Sequence, residues 1–361
     1  MLICGVNLTT ELATDHWPLT TDHCPVPSAS PRERLTSVQP LRAVSGGRIT
    51  IYGTDFPVHE IRLPEVRIGD VPARVVRASS TALAVLVPEG LSGGATPIRI
   101  AGHPGETVFI DVGLVLATGL HQVDNPIFDR DGNLYVTYSG SRGQEVPVSI
   151  FRVTPDGVRE PFVSGIVNPT SMAFDASGRL YVSSRFDGTV YRVSPGGQSE
   201  AFATELGVAC GLAFSRDGTL FVGDRSGTIF RVTPEGQVTP FVSVSPSVAA
   251  FHLAMSADDV LYVTAPTLGA YDHVYRVDQQ GEVTPVYSRF GRPQGLAFDP
   301  TGQLHVVEAL AGSSGLYSLR ADGTVELAVA APSLVGVAFG PNGLVCVASN
   351  ETVYRLGGRN P

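Results

Sequence analysis

The feature that most constrains this 361-residue chain is a nine-residue unit that occurs six times across its C-terminal two-thirds. It first reads Phe128-Asp129-Arg130-Asp131-Gly132-Asn133-Leu134-Tyr135-Val136 and comes back from Phe174, Phe214, Met255, Phe298 and Phe339. The starting positions step by 46, 40, 41, 43 and 41 residues. Each copy sets a polar turn before a short apolar run such as Leu180-Tyr181-Val182 or Leu304-His305-Val306. A second run follows, as in Val190-Tyr191-Arg192-Val193, Ile229-Phe230-Arg231-Val232, Val274-Tyr275-Arg276-Val277 and Val353-Tyr354-Arg355-Leu356. Short alternating runs between turns specify strands, and no segment carries the 3.6-residue period of a helix. A strand-only unit of roughly 40 residues has the size of one four-stranded propeller blade.

With the strands of a unit labelled a to d from the axis outward, Gly132, Gly178, Gly218, Gly302 and Gly343 fall in a-b turns, and Gly157, Gly197, Gly236, Gly281 and Gly323 in c-d turns. Glycine accepts the positive φ of tight hairpins, so both turns are held short. The longer connections, 138–148, 265–271 and 309–314, are then b-c loops. They share one face with the d-a crossings, and varied loops on a rigid scaffold are where binding concentrates. A ring must also close, because a free sheet edge invites pairing with other chains. The last unit ends at Leu356 without a fourth strand, and Leu114-Val115-Leu116-Ala117 is predicted to pair beside Val353–Leu356 and supply it.

Residues 35–112 alternate differently, in short runs such as Arg48-Ile49-Thr50-Ile51-Tyr52, Val66-Arg67-Ile68, Ala73-Arg74-Val75-Val76, Leu83-Ala84-Val85-Leu86-Val87 and Pro97-Ile98-Arg99-Ile100. This is the pattern of half-buried strands in a small sandwich. Val38-Gln39-Pro40, Gly46-Gly47, Ile51-Tyr52-Gly53-Thr54-Asp55-Phe56, Ile68-Gly69-Asp70-Val71-Pro72-Ala73 and Val87-Pro88-Glu89-Gly90 together resemble the IPT/TIG family of immunoglobulin-like modules, which implies a spacer or contact surface. The repeated units resemble NHL repeats and, more broadly, the gluconolactonase and streptogramin-lyase group of six-bladed propellers. The predicted fold class is all-β, with an N-terminal immunoglobulin-like β-sandwich over 35–112 and a C-terminal six-bladed β-propeller over 113–356. Residues 1–34 are expected to form a disordered extension and 357–361 a tail. Gly90-Leu91-Ser92-Gly93-Gly94 fits the G-x-S-x-G pattern but lies between two predicted strands, without the following helix that a nucleophile elbow needs.

Composition removes several classes of function. The 34 acidic residues exceed the 25 basic ones, giving a net charge of −9, and every basic residue is Arg, which disfavours nucleic acid as a partner. The absence of Lys also excludes Schiff-base chemistry and a P-loop. Cys4, Cys24, Cys210 and Cys346 have neither redox nor zinc spacing. No stretch approaches the roughly 20 apolar residues of a membrane helix, so membrane insertion is not expected. The opening residues carry acids where a signal peptide carries positive charge, whereas the domain resemblance implies a secreted or envelope location. A tandem heptad, Thr14–Thr20 followed by Thr21–Pro27, reads as a translated DNA repeat, because Pro breaks each copy and its His and Asp residues lack metal-ligand spacing.

Polar residues gather where strands a begin and strands b end on the loop-rich face. The resemblance to lactonases implies a divalent cation, calcium, magnesium or zinc, with Asp124, Asn125, Asp224 and Glu308 as oxygen ligands and His252 and Glu308 as an acid/base pair. This sequence departs from that pattern. Cys210-Gly211 and Pro293-Gln294-Gly295 replace the family's Asn-Gly and Pro-Asp-Gly, and Gln294 stands where a streptogramin lyase has its His. A neutral amide cannot serve as a general base. The leading expectation is therefore a non-catalytic binding module without a cofactor, presenting Asp124, Asn125, Arg185, Asp224, Arg225 and Gln294 to a protein or carbohydrate partner. The alternative is a metal-dependent lactonase or lyase. Arg142, Arg185, Arg225, Arg289 and Arg292 map to loops of this face and point to an anionic ligand, while Glu145, Asp187, Asp224 and Glu308 on the same face point to a solvated mixed surface. Arg152, Arg192, Arg231, Arg276 and Arg355 recur within strand c and read as a structural ladder.

Overall fold

The computed structural model describes residues 35–58, 62–102, 107–310, 312 and 314–357. The tandem heptad and the remainder of the expected N-terminal extension lie outside the described residues, as do 358–361. Among the described residues every regular element is a strand except one 3-10 turn at Pro341–Gly343, so the protein is all-β. No helix among them is long and apolar enough to cross a membrane.

The sandwich comprises β1 (Leu35–Gln39), β2 (Arg42–Ala43), β3 (Arg48–Gly53), β4 (Val66–Ile68), β5 (Val71–Ala78), β6 (Ala82–Leu86), β7 (Gly94–Ile100) and β8 (Val108–Val112). Strand β5 joins its two halves: Val71–Ala73 pairs with β4, and Arg74–Ala78 pairs with β6. A register shift interrupts the pairing with β6 between Val75 and Arg77. The two-residue period turns Ile49, Ile51, Leu83, Val85, Ile98 and Ile110 into one core. Ser92 of the G-x-S-x-G run lies in the loop between β6 and β7.

In the C-terminal region β10 (Ile127–Phe128), β11 (Leu134–Thr137), β12 (Ile150–Val153) and β13 (Arg159–Val163) form one antiparallel sheet. β14 (Pro169–Phe174), β15 (Leu180–Ser184), β16 (Thr189–Val193) and β17 (Ser199–Ala203) form the next. The pattern repeats in β18 (Ala209–Phe214), β19 (Leu220–Asp224), β20 (Thr228–Val232) and β21 (Val238–Ser243), and in β22 (His252–Met255), β23 (Leu261–Thr264), β24 (Asp272–Val277) and β25 (Val283–Phe290). The chain ends in β30 (Leu334–Phe339), β31 (Val345–Ser349) and β32 (Thr352–Leu356), completed by β9 (Leu114–Thr118). The predicted closing pair is present: Ala117 faces Val353 and Leu114 faces Arg355.

The expectation of six separate blades needs correction, because five four-stranded sheets stand alone. The remaining strands, β26 (Pro293–Phe298), β27 (Leu304–Glu308), β28 (Gly315–Leu319) and β29 (Val325–Ala330), keep the a-b-c-d order but end a 12-stranded sheet. The cause is β2, which pairs in parallel with both β8 and β29. Its Ala43 lies opposite Ala330, and the Val44 N–H donates to the Ala330 carbonyl at 3.0 Å. Val44 is fully buried among Val307, Leu316, Val329 and Leu334, so the sandwich inserts a side chain into the propeller's core.

The recurring apolar positions explain how neighbouring sheets pack. The strand-b aromatic of one unit meets the strand-a Phe of the next, as Tyr135 meets Phe174, Tyr181 meets Phe214 and Tyr262 meets Phe298, with ring centroids 5.0 to 5.4 Å apart in edge-to-face geometry. The strand-c arginines pair across to strand d, Arg152 with Glu160 at 2.7 Å and Arg192 with Glu200 at 2.6 Å.

His305 fills the aromatic position of its unit, 4.8 Å from the Phe339 ring. Its Nε2 lies 3.2 Å from Asp299 Oδ2, and its Nδ1 has no partner among the described residues. Burial lowers its pKa below the ordinary 6.5, with Asp299 acting in the opposite direction. The unfolded chain therefore takes up this proton more readily than the folded one. The stabilisation is complete above pH 6.5 and is lost as pH falls toward the lowered folded value. His305→Phe is expected to flatten the decline in melting temperature between about pH 7 and about pH 5, measured by differential scanning fluorimetry. Parallel declines for the two proteins would remove this assignment.

Candidate functional site at the mouth of the central channel

Strands a begin at one end of the channel, and their first residues pack against each other across unit boundaries. Gly295 shows how tightly: a Cβ there would sit 2.2 Å from Asn125 Oδ1 and 2.7 Å from the Val335 carbonyl. Asn125 uses both ends of its amide on backbone, donating to the Leu296 carbonyl and accepting from the Val337 N–H, each at 2.9 Å. It ties strands β26 and β30 to the segment leading into β10. Gln122 is tied in the same way, donating to the Asp124 carbonyl and accepting from the Thr137 N–H, both at 2.7 Å.

The structure brings His252, Asp124 and Gln294 together. His252 is fully buried, with Nδ1 2.6 Å from Asp124 Oδ1 and Nε2 3.2 Å from Gln294 Oε1. A carboxylate can only accept, so Nδ1 donates, and this fixes the orientation of the ring. Asp124 Oδ1 also accepts from the Asn125 N–H at 2.7 Å. Both ring nitrogens of His252 are thus engaged inside the protein.

Asp224 and Glu308 end the equivalent strands β19 and β27, and each grips its own loops. Asp224 Oδ1 accepts from the Val208 N–H at 2.8 Å, while Oδ2 takes the Ser226 hydroxyl. Glu308 accepts three backbone N–H groups, from Gly291 at 2.6 Å, Leu310 at 2.7 Å and Arg292 at 2.9 Å. A hard divalent cation needs several oxygens converging on one point. The set Asp124, Asn125, Asp224 and Glu308 does not offer that: Asn125 has no uncommitted amide atom, and both Glu308 oxygens face N–H donors. Among the described residues no three His, Cys, Asp or Glu side chains gather as a metal site.

Above this layer lies a pocket of about 450 Å³ whose polar lining includes Arg185, Arg225, Arg292 and Gln294. Arg185 and Arg225 follow strands β15 and β19 directly, and each donates its backbone N–H to a d-a crossing, Arg185 to Asn168 and Arg225 to Val208. Arg185 is half-buried. Burial lowers its pKa, opposed by Cys210 and reinforced by repulsion from Arg225 and Arg142. Cys210 also lines the pocket, and burial pushes its thiol up to about 11, which leaves it protonated and unreactive at neutral pH. Arg292 was legible in the sequence only as one loop arginine among five; its place beside Gln294 comes from the Glu308 clamp.

Residues 34–108 match the IPT/TIG domain. The matched segment covers the sandwich and stops short of the propeller. No curated protein matches the chain in sequence. Several solved structures share the fold. An auxiliary nutrient binding protein from Bacteroides thetaiotaomicron aligns over 90% of this chain and 97% of its own, at 12% identity and a TM-score of 0.55. Another from Bacteroides ovatus aligns over 91% and 98%, at 15% identity and a TM-score of 0.53. A gluconolactonase from Xanthomonas campestris aligns over 82% and 98%, at 15% identity and a TM-score of 0.56. At such identities the likeness is one of fold, since a propeller hosts many unrelated functions.

Proposed function

We propose that the propeller is a non-catalytic binding module that holds a carbohydrate or protein partner on its loop-rich face, with the IPT/TIG domain fixed beside it as a spacer. In this reading β26–β29 count as the sixth blade, because they retain the strand order of the other five. The observation that carries the proposal is the engagement of the acid/base candidates. His252 has both nitrogens bonded internally, and Glu308 has both oxygens on backbone donors. A general acid or base must reach the proton it transfers, and these groups face the scaffold. The donors that face the pocket are arginines and an amide, groups that recognise rather than transform. Similarity of fold to nutrient binding proteins supports the same reading.

Affinity electrophoresis through gels containing a neutral glucan or an acidic pectin tests it: retardation by a polysaccharide is expected, with lactone hydrolysis at the blank rate in added calcium, magnesium or zinc. Cation-dependent lactone opening that disappears in Glu308→Gln would overturn the proposal. It would instead favour a metal-dependent lactonase or lyase with Asp124, Asn125, Asp224 and Glu308 around the ion and His252 as acid/base.

A further inference from the structure

We infer that the mouth pocket is built for an acidic saccharide, whose carboxylate is held by Arg185, Arg225 and Arg292 and whose ring lies on the aliphatic wall beside them. This inference rests on the binding reading above and specifies its ligand.

The arginines that line the groove on the hairpin face are all bonded. In the groove of about 630 Å³ between β10–β13 and β14–β17, on the hairpin face, Arg152 bonds Glu160 and Arg179 bonds Asp175, each at 2.7 Å. The three pocket arginines differ. Among the described residues none of them forms an ion pair or donates a side-chain hydrogen bond. In a chain of net charge −9, three unpaired guanidinium groups around one pocket are a local reversal of sign. Two acids of this face, Asp224 and Glu308, are turned onto backbone N–H groups. Those same bonds hold the arginines in place. Glu308 accepts from the backbone N–H of Arg292, and Asp224 fixes Val208, whose carbonyl in turn accepts from the Arg225 N–H. The carboxylates that suggest a metal site in the sequence are thus positioning residues for cationic loops.

The chemistry of the lining selects the ligand. A guanidinium presents a planar pair of donors that matches a carboxylate, and such charge-assisted bonds are about twice as strong as neutral ones. Gln294 stands between His252 and the pocket, its side-chain amide 3.2 Å from His252 Nε2, and Asn350, whose Nδ2 donates to the Gln122 carbonyl, adds a second amide to the lining. Val123, Val248 and Val335 supply an apolar wall. Charge, amides and aliphatic surface on different sides suit an acidic sugar unit, and about 450 Å³ is within the range of small-ligand pockets.

The test is isothermal titration at low salt of the full chain with the galacturonate trisaccharide, its methyl ester and inorganic sulfate. The acid is expected to bind, the ester to bind about tenfold or more weakly, and sulfate weakest of all. Arg185→Gln, Arg225→Gln and Arg292→Gln should each weaken the acid about tenfold without lowering the melting temperature, since Arg225 and Arg292 are exposed and the half-buried Arg185 has no side-chain partner to lose among the described residues. Arg185→Lys, which keeps the charge but loses the fork, should recover only part of the loss. Affinity for the acid should fall as salt rises. Equal binding of acid and ester would leave a carbohydrate-binding module standing and overturn this inference. Sulfate binding as tightly as the trisaccharide, no binding of the acid at millimolar concentration, or arginine variants that bind like the parent would overturn it as well.

Discussion

A chain beginning at residue 119 is expected to melt about 10 °C below one beginning at residue 113, although the two differ only by the segment that contains β9. Both lack the sandwich, so the difference isolates the closing strand. That strand pairs Thr118 with Thr352, Ala117 with Val353, Val115 with Tyr354 and Leu114 with Arg355. Ala117 is buried with Leu134, Val136, Ala348 and Val353, and Leu116 packs against the same cluster. Losing the apolar contacts of Leu116 and Ala117 costs about 3 kcal/mol by area, before the ladder hydrogen bonds are counted. In a propeller of this size each kcal/mol moves the midpoint by roughly 2–4 °C. The shorter chain also bares Val353 of β32, fully buried in the complete ring, so it should aggregate on heating more readily than the longer one. Thermal melts with light scattering read both effects, and coincident curves would mean that the ring does not depend on β9.

The closing strand was legible because the repeat is a counting device. Six copies of strand a and only five complete sets of four leave one strand owing, and the segment before the first copy has the right pattern. The inter-sheet aromatics were legible for the same reason, since a residue that recurs at one position of every unit does the same structural work in each. Strand β2 was not. It is two residues long, too short to show alternation, and its parallel partners β8 and β29 lie far along the chain. The fusion of sandwich and propeller into a 12-stranded sheet therefore left no local trace.

At the site, the shared position of Asp124, His252 and Gln294 at the start of strands a was legible, but the expected partner of His252 was Glu308, and the ring meets Asp124 and Gln294 instead. The role of Asp224 and Glu308 was not legible, because sequence does not reveal which N–H groups a carboxylate faces. Asp224 accepts from Val208, 16 residues upstream, and Glu308 from Gly291 and Arg292 at a similar remove. A signal was nevertheless present. Ser184 ends β15 just as Asp224 ends β19 and Glu308 ends β27, and its hydroxyl donates to the Val167 carbonyl of the corresponding crossing. A polar residue that recurs at the end of strand b is a loop clamp, whereas the arginine following it in only two units is free to serve a ligand.

Gly47→Val should uncouple the two domains. Gly47 sits on the turn after β2, donating to the Val44 carbonyl at 2.9 Å and accepting from Val87 at 2.9 Å. A Cβ there would lie 2.2 Å from the Ala330 carbonyl oxygen and 2.7 Å from its carbon, with Val44 O 2.9 Å away. These are backbone atoms, so no rotamer change relieves the clash. The Ala330 carbonyl is also the acceptor for Val44 N–H, the bond that joins the sandwich to β29. Either that bond opens and Val44 leaves the core it shares with Val307 and Val329, or the turn shifts and breaks its pairing with Val87. Overpacking of this kind costs about 3 kcal/mol. The parent is expected to melt in one calorimetric transition because the two cores share Val44 and a continuous sheet. The variant should melt in two, the first lowered and the second close to the melt of a chain beginning at residue 113. The disturbance enters at β29, in the sheet whose β27 carries the Glu308 clamp on Arg292. Affinity for the acidic trisaccharide should therefore survive if β27 and β28 absorb the shift, as their unbroken pairing from Leu304↔Leu319 to Glu308↔Gly315 predicts. A single transition at the parent's temperature would show that Gly47 tolerates a side chain, and that the junction is looser than its hydrogen bonds require.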